Sequence, residues 1–220
     1  MYLDSLTPVE IRNSPGALCM ITGGMKADKT KHFAGLFDRL KHTGIRTQVF
    51  KPECDYRKEL HDKFEGIPRN YVVSRTGIAI PAIELNDEGN LDDLVRALNS
   101  NADIIGFEET HLYTNYQQLF KIILAIKAQR KVVVTSGLDR DFRGEAFPIT
   151  KELMVAATKI DKLYGWCDID GCDNLGELSQ RLINGQPALY SDDVKLVGAS
   201  EAYEARCLLH HEIPGKPKTS

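Results

Sequence analysis

With 220 residues, 42% hydrophobic and 27% charged, the chain suits one soluble domain, or a core domain with a small appendage, that can hold its own core. Net charge is -3 with Lys and Arg scattered rather than clustered, so neither a nucleic acid polymer nor an anionic membrane is an expected partner. The opening MYLDSLTPVEIRNSPG lacks the pattern of a signal peptide, and the longest apolar stretch, IILAIKA, is far short of the ~20 residues of a membrane span.

The first predicted element is a buried strand over Ala17 to Thr22, an apolar run that feeds a loop at Gly23-Gly24. Phe33, Leu36, Phe37 and Leu40 then recur at i, i+3, i+4 and i+7, which predicts one face of an amphipathic helix stopped near Gly44. Between them lies Gly23-Gly24-Met25-Lys26-Ala27-Asp28-Lys29-Thr30, a strand-loop-helix arrangement of the Walker A kind. Glycines there let backbone N–H groups surround phosphate oxygens, a Lys reaches the outer phosphates, and a Ser/Thr hydroxyl serves Mg²⁺. Lys29 and Thr30 supply the last two at a helix start, where the dipole favours anions. Asp28 stands where the second glycine is usual, placing a carboxylate beside the phosphates and a side chain in a tight turn.

Arg46 to Lys51 alternates like a strand, Leu91, Leu94, Val95 and Leu98 repeat the helical spacing, and Asp103 to Phe107 returns to a strand. A helix over Tyr116 to Arg130 and an apolar strand over Lys131 to Ser136 follow. Strands alternating with helices predict an α/β fold built on a parallel sheet flanked by helices, with ligands at the carboxyl ends of the strands. The strand over Asp103 to Phe107 ends in Glu108-Glu109. One carboxylate can help hold Mg²⁺ and the other can accept a proton from an attacking hydroxyl, with strand alternation sending them to opposite sides. From about Asp161 the pattern breaks into short, turn-rich pieces. The expected division is therefore a nucleotide-binding α/β domain over 1–160, a small zinc-ribbon-like lobe over 161–214 and a loose tail over 215–220.

Gly137-Leu138-Asp139-Arg140-Asp141-Phe142-Arg143-Gly144-Glu145-Ala146-Phe147 resembles the GLDxDFRGxPF stretch of the type II (cytosolic-type) thymidine kinases. Other segments match in the family's order. Lys51-Pro52-Glu53-Cys54-Asp55-Tyr56-Arg57 is similar to KPxxDxR, Val73-Ser74-Arg75-Thr76-Gly77 to a strand ending in SHDG, and Ile105-Gly106-Phe107-Glu108-Glu109 to IGIDE. Arg181-Leu182, Val197-Gly198 and Tyr203 to Cys207 resemble its closing segments, so the likeness spans nearly the whole chain.

The resemblance implies ATP- and Mg²⁺-dependent phosphorylation of the thymidine 5′-hydroxyl, by an enzyme assembled as a homotetramer or homodimer. On matching positions it implies that Lys29 and Thr30 meet phosphate and metal, that Glu109 is the general base, and that Arg57 lies near the phosphates. It further implies that Leu112, Leu138, Phe142 and Phe147 line the nucleoside pocket. Ser179, Val194, Leu196, Gly198 and Tyr203 fall on a loop that closes over the base, largely through main-chain contacts. Read as residues alone, Phe142, Phe147 and Tyr203 could equally be packing aromatics.

Five cysteines, an odd number without an export signal, point to metal binding in a reducing, cytoplasmic setting rather than to disulfides. Cys167 and Cys172, then Cys207 and His210, form two close pairs of the kind a structural Zn²⁺ needs, with His211 competing for the fourth place. Cys19 and Cys54 read as bystanders. Asp28, Glu108 for Asp, His111 for Gln, Leu112 for an aromatic and Arg75 for His depart from the family pattern around the presumed active centre. Lys26 or Arg75 could offset the Asp28 charge. Two readings stay open: a working thymidine kinase, or a nucleotide-binding or regulatory relative with impaired catalysis. A zinc-ribbon module for nucleic acid is opposed by the net charge.

Overall fold

A computed structural model describes residues 10, 13–194 and 203–217. In chain order it contains β1 (Leu18–Gly23), α1 (Lys29–Leu40), β2 (Thr47–Pro52), α2 (Lys58–Lys63), β3 (Tyr71–Val73), β4 (Ala79–Pro81), β5 (Ile83–Leu85), α3 (Asp92–Ala97) and β6 (Ile104–Phe107). A single 3-10 turn (Thr110–Leu112), α4 (Tyr116–Ala128), β7 (Val132–Leu138), α5 (Pro148–Ala156) and β8 (Lys159–Leu163) complete the main body. The smaller lobe holds β9 (Gly165–Trp166), β10 (Leu175–Gly176), β11 (Leu178–Ile183), β12 (Gln186–Pro187) and β13 (Tyr203–Arg206).

The main sheet runs β5-β2-β6-β7-β1-β8, and every pairing in it is parallel. A parallel sheet needs both faces covered, and β1 shows how the sequence supplies this. Ala17, Cys19 and Ile21 join one core with Phe33, Leu36, Phe37 and Leu40 of α1. Leu18 and Met20 join the other with Leu119, Ile123 and Ile126 of α4 and Leu153 of α5. The expected α1 stripe is thus realised, with the Phe33 and Phe37 rings 4.8 Å apart. Gly106 in β6 lets that pair close on the sheet: a Cβ there would stand 2.5 Å from the Phe37 ring and 2.8 Å from the Phe33 ring. This close approach sets the start of α1 beside the end of β6.

Several expected elements are trimmed. The helix over Tyr116 to Arg130 ends at Ala128. The Leu91 to Leu98 stretch gives only the short α3, which buries Leu94 and leaves Val95 53% exposed. Asp103 stands before β6, its carboxylate accepting hydrogen bonds from the Arg46 backbone and guanidinium. β8 keeps the chain in the main sheet to Leu163, past residue 161. Lys159, Asp161 and Lys162 leave it too polar for an apolar run, and its exposed Ile160 and Lys162 suit the edge of the sheet. In the lobe, β11 pairs antiparallel with β12 and β13, and β9 with β10.

Gly106→Ala should cost roughly 1–3 kcal/mol through overpacking against the two phenylalanines. The check is a lowered denaturant midpoint with an unchanged slope; an unshifted midpoint would show that α1 does not depend on this contact.

Candidate active site

The carboxyl ends of β1, β2, β6 and β7 meet around a cleft of about 310 Å³. Met25, Lys26, Ala27, Asp28, Lys29 and Thr30 line its floor, and Gly23 and Gly24 lead the chain into it. Lys29 is only 7% exposed and donates from Nζ to the Gly24 carbonyl at 2.7 Å, so it ties the loop across its own base. Burial lowers the Lys29 pKa, against the opposing pull of Glu109 and Glu108.

Asp28 takes the left-handed conformation, with φ of 57°, just before the helix. Asp enters that region more readily than most side-chain-bearing residues, so the loop keeps a glycine-like turn without glycine. Its side chain is 55% exposed and lies 3.8 Å from Lys31, so solvent and a neighbouring cation both screen the charge. Lys26 does not serve that purpose: it pairs with Asp168 at 2.7 Å, because its left-handed backbone turns it toward the smaller lobe. Arg75 lines the cleft.

Thr30 Oγ1 donates to Glu108 Oε1 at 2.7 Å. Glu108 is fully buried, and burial followed by repulsion from Glu109 pushes its pKa up to about 7. Its Oε2 makes no hydrogen bond of ordinary geometry. A hydroxyl and an under-satisfied carboxylate oxygen side by side suit a hard divalent cation such as Mg²⁺. Glu109 is also buried but differs in kind. β6 has ended at Phe107, and Glu109 passes through a left-handed turn, φ 47°, into the 3-10 turn. The two carboxylates therefore gain separate partners from this turn rather than from strand alternation. Glu109 pairs with Arg57 and lies 3.3 Å from His111 Nδ1. Burial pushes its pKa up, but Arg57, His111 and Lys29 outweigh that and leave it below the usual value.

Arg57 is shared. Its Nε bonds Asp55 at 3.0 Å, one terminal nitrogen meets Glu109, and the other stands 3.4 Å from the Thr30 hydroxyl. The sequence assigned no role to Asp55 and marked His111 only as a departure from the family pattern near the active centre. The signal for Asp55 lay in its place two residues before Arg57, inside a segment already matched. His111 is held neutral: burial takes its pKa down to about 4, against the pull of Glu109 and with Lys29 and Arg57 adding to the lowering. Its Nδ1 accepts the Leu138 N–H at 3.2 Å, and its ring packs 4.9 Å from Phe147.

Leu112, Leu138, Phe142 and Phe147 form the apolar part of the same cleft, joined by Ser179, Val194 and Tyr203. Phe142 is 2% exposed, with the guanidinium groups of Arg143 and Arg181 at 5.4 and 5.5 Å from its ring. Leu196 and Gly198 lie outside the described residues. Away from the cleft, one ligand atom from each of Cys167, Cys172, Cys207 and His210 falls within 4.8 Å of all the others. The Cys172–Cys207 sulfur edge of 3.9 Å and sulfur–nitrogen edges of 3.4 and 3.5 Å match a tetrahedron around Zn²⁺, so these residues could hold one. His211 is committed elsewhere, 2.9 Å from the Phe142 carbonyl. Cys19 is buried in the core, whereas Cys54 lines the cleft. Among the described residues no helix is long and apolar enough to cross a membrane.

The family described as Thymidine kinase matches residues 16–211. A thymidine kinase of Coprothermobacter proteolyticus is 36% identical over 211 residues, covering 96% of this chain and 98% of that protein. Among solved structures, domain III of the Thermotoga maritima replication initiation protein DnaA is similar at 14% identity and a TM-score of 0.42. That alignment covers 70% of this chain and 58% of that one, a likeness too slight to bear on the site.

Because the folded-state pKa of His111 is depressed, its contribution to stability is complete above about 6.5 and is lost as pH falls through about 4. His111→Gln should remove on the order of 2–3 kcal/mol of the acid destabilisation between those limits. Denaturant melts across that range test it; an unchanged pH slope would mean that His111 is not buried beside Lys29 and Arg57.

Proposed function

This chain belongs to the thymidine kinase family, and we propose that it transfers the γ-phosphoryl group of ATP to the 5′-hydroxyl of thymidine, as in deoxynucleoside salvage for DNA precursor synthesis. The observation that carries the reading is one shared cleft. The phosphate loop, the Thr30–Glu108 oxygen pair, the Arg57–Glu109 pair and an apolar aromatic pocket all open into it.

The loop N–H groups and Lys29 cradle the ATP phosphates, while Leu112, Leu138, Phe142, Phe147 and Val194 enclose the nucleoside. They do so together with Ser179, which sits in strand β11 rather than in a loop, and Tyr203 of β13. Leu196 and Gly198, outside the described residues, are proposed to contact the same base. Thr30 and Glu108 would hold Mg²⁺, which when bound offsets charge on the transferring phosphoryl group. Glu109, ionised at neutral pH, accepts the proton of the attacking hydroxyl. The ion pair with Arg57 makes it a weak base in the free protein. Incoming phosphates compete for the guanidinium, and loosening that pair raises the proton affinity of Glu109 when the nucleophile needs it. The exposed carboxylate of Asp28 and its left-handed turn leave this machinery complete, so the impaired alternative gains no support from the loop.

Zinc held by Cys167, Cys172, Cys207 and His210 would fix the lobe that carries the closing loop. Five free cysteines fit a cytoplasmic setting. Leu124 and Met154 and the 89% exposed Val155, on the packed helices α4 and α5, are surface that a homotetramer or homodimer could cover.

Purified protein with Mg-ATP and thymidine should form thymidine monophosphate. Glu109→Ala should lower kcat by about 10²–10⁴-fold, while the KM for ATP falls because Arg57 is released to the phosphates. Undiminished turnover in that variant would remove Glu109 as the base; no turnover in the wild type would remove the kinase reading.

A further inference from the structure

The smaller lobe grips the phosphate loop at three consecutive residues. A Cβ on Gly24 would stand 3.5 Å from the Glu177 carbonyl oxygen. Met25 N–H donates to Ser179 Oγ at 3.0 Å. Lys26 Nζ meets Asp168 Oδ2 at 2.7 Å, and a Cβ on Gly165 would stand 3.0 Å from the Lys26 carbonyl oxygen. Lys26 also sits in the left-handed region, with φ of 59°, a conformation that a lysine keeps only where its surroundings enforce it.

Asp168 is built into the metal knuckle. It directly follows Cys167, its N–H donates to the Ala205 carbonyl at 2.8 Å, and its Oδ2 accepts the Ala205 N–H at 2.6 Å. Ala205 lies in β13 two residues before Cys207. One carboxylate oxygen thus joins the strand between two prospective zinc ligands to the turn that shapes the phosphate loop.

We infer that Asp168 is a positioning residue that couples the metal knuckle to the phosphate loop, holding Lys26 in its left-handed turn so that the loop N–H groups stay aimed at a nucleoside polyphosphate. The inference rests on the phosphate-loop reading above. It gives Asp168 a role besides spacing Cys167 from Cys172. It also makes the coupling reciprocal: nucleotide should tighten zinc, and zinc nucleotide, by the same factor.

Calorimetric titration of ADP into the zinc-loaded protein tests this. Asp168→Asn keeps an acceptor for the Ala205 N–H while removing the charge that Lys26 meets. It should weaken ADP by about threefold, the scale of a partly exposed ion pair, with zinc content and thymidine affinity unchanged. Asp168→Glu should recover most of the loss. Zinc affinity, measured against a zinc-selective chelator, should rise with saturating ADP in the wild type and rise less in Asp168→Asn. If Asp168→Asn itself loses zinc, Lys26→Met poses the question from the loop side, and ADP should then no longer tighten zinc. Wild type that binds no ADP would overturn the phosphate-loop reading. Wild type that binds ADP, alongside an Asp168→Asn (or Lys26→Met) protein in which ADP still tightens zinc fully, would overturn the coupling alone.

Discussion

The half-buried guanidinium of Arg57 is the group around which the site is organised. Three buried or nearly buried carboxylates, Asp55, Glu108 and Glu109, gather beside two cations, Lys29 and Arg57, with His111 kept neutral. Charges taken out of water are tolerated only when paired and hydrogen-bonded. Burial and the neighbouring Glu109 bring Glu108 to about 7, while Arg57 keeps Glu109 ionised. A site poised in this way favours an added cation at Glu108 and an added anion near Arg57, the two halves of a metal–nucleotide complex.

Arg57 could not hold this place on a mobile segment. Lys51, 1% exposed at the end of β2, donates to the carbonyls of Arg69 and Tyr71 at 2.9 and 3.1 Å and to that of Asp55 at 3.3 Å. The amine thereby stitches both ends of the segment bearing Arg57 to the sheet. Opposite it, Lys26, Asp28 and Glu109 all carry positive φ angles at the rim of the cleft. Backbone strain gathers at functional sites when the surrounding structure over-determines it, and here the sheet, α1 and the smaller lobe share that task.

Much of the scaffold was legible because it follows simple periods. The Phe33–Leu40 stripe and the run from Ala17 to Thr22 announce one helix and one doubly buried strand, and both form. β8, with three charged residues in five, and the three-residue strands β3, β4 and β5 carry too little apolar pattern to be read. In the candidate site, the family-matched segments named the residues but not their partners. That Lys26 answers Asp168 instead of Asp28, that His111 is pressed against Glu109, and that Asp55 fixes Arg57 all depend on backbone turns at single residues and on contacts across the fold, to which hydrophobic spacing is blind.

The central claim is that Arg57 restrains Glu109 until phosphates draw it away. It is tested most directly by NMR titration of carboxyl-¹³C-labelled glutamates, with Glu109→Gln assigning the signal, in the free protein and with Mg-ADP bound. The account predicts a Glu109 pKa below the usual glutamate value in the free protein and a clear rise with nucleotide. An unperturbed value, or one that nucleotide leaves unchanged, would contradict it.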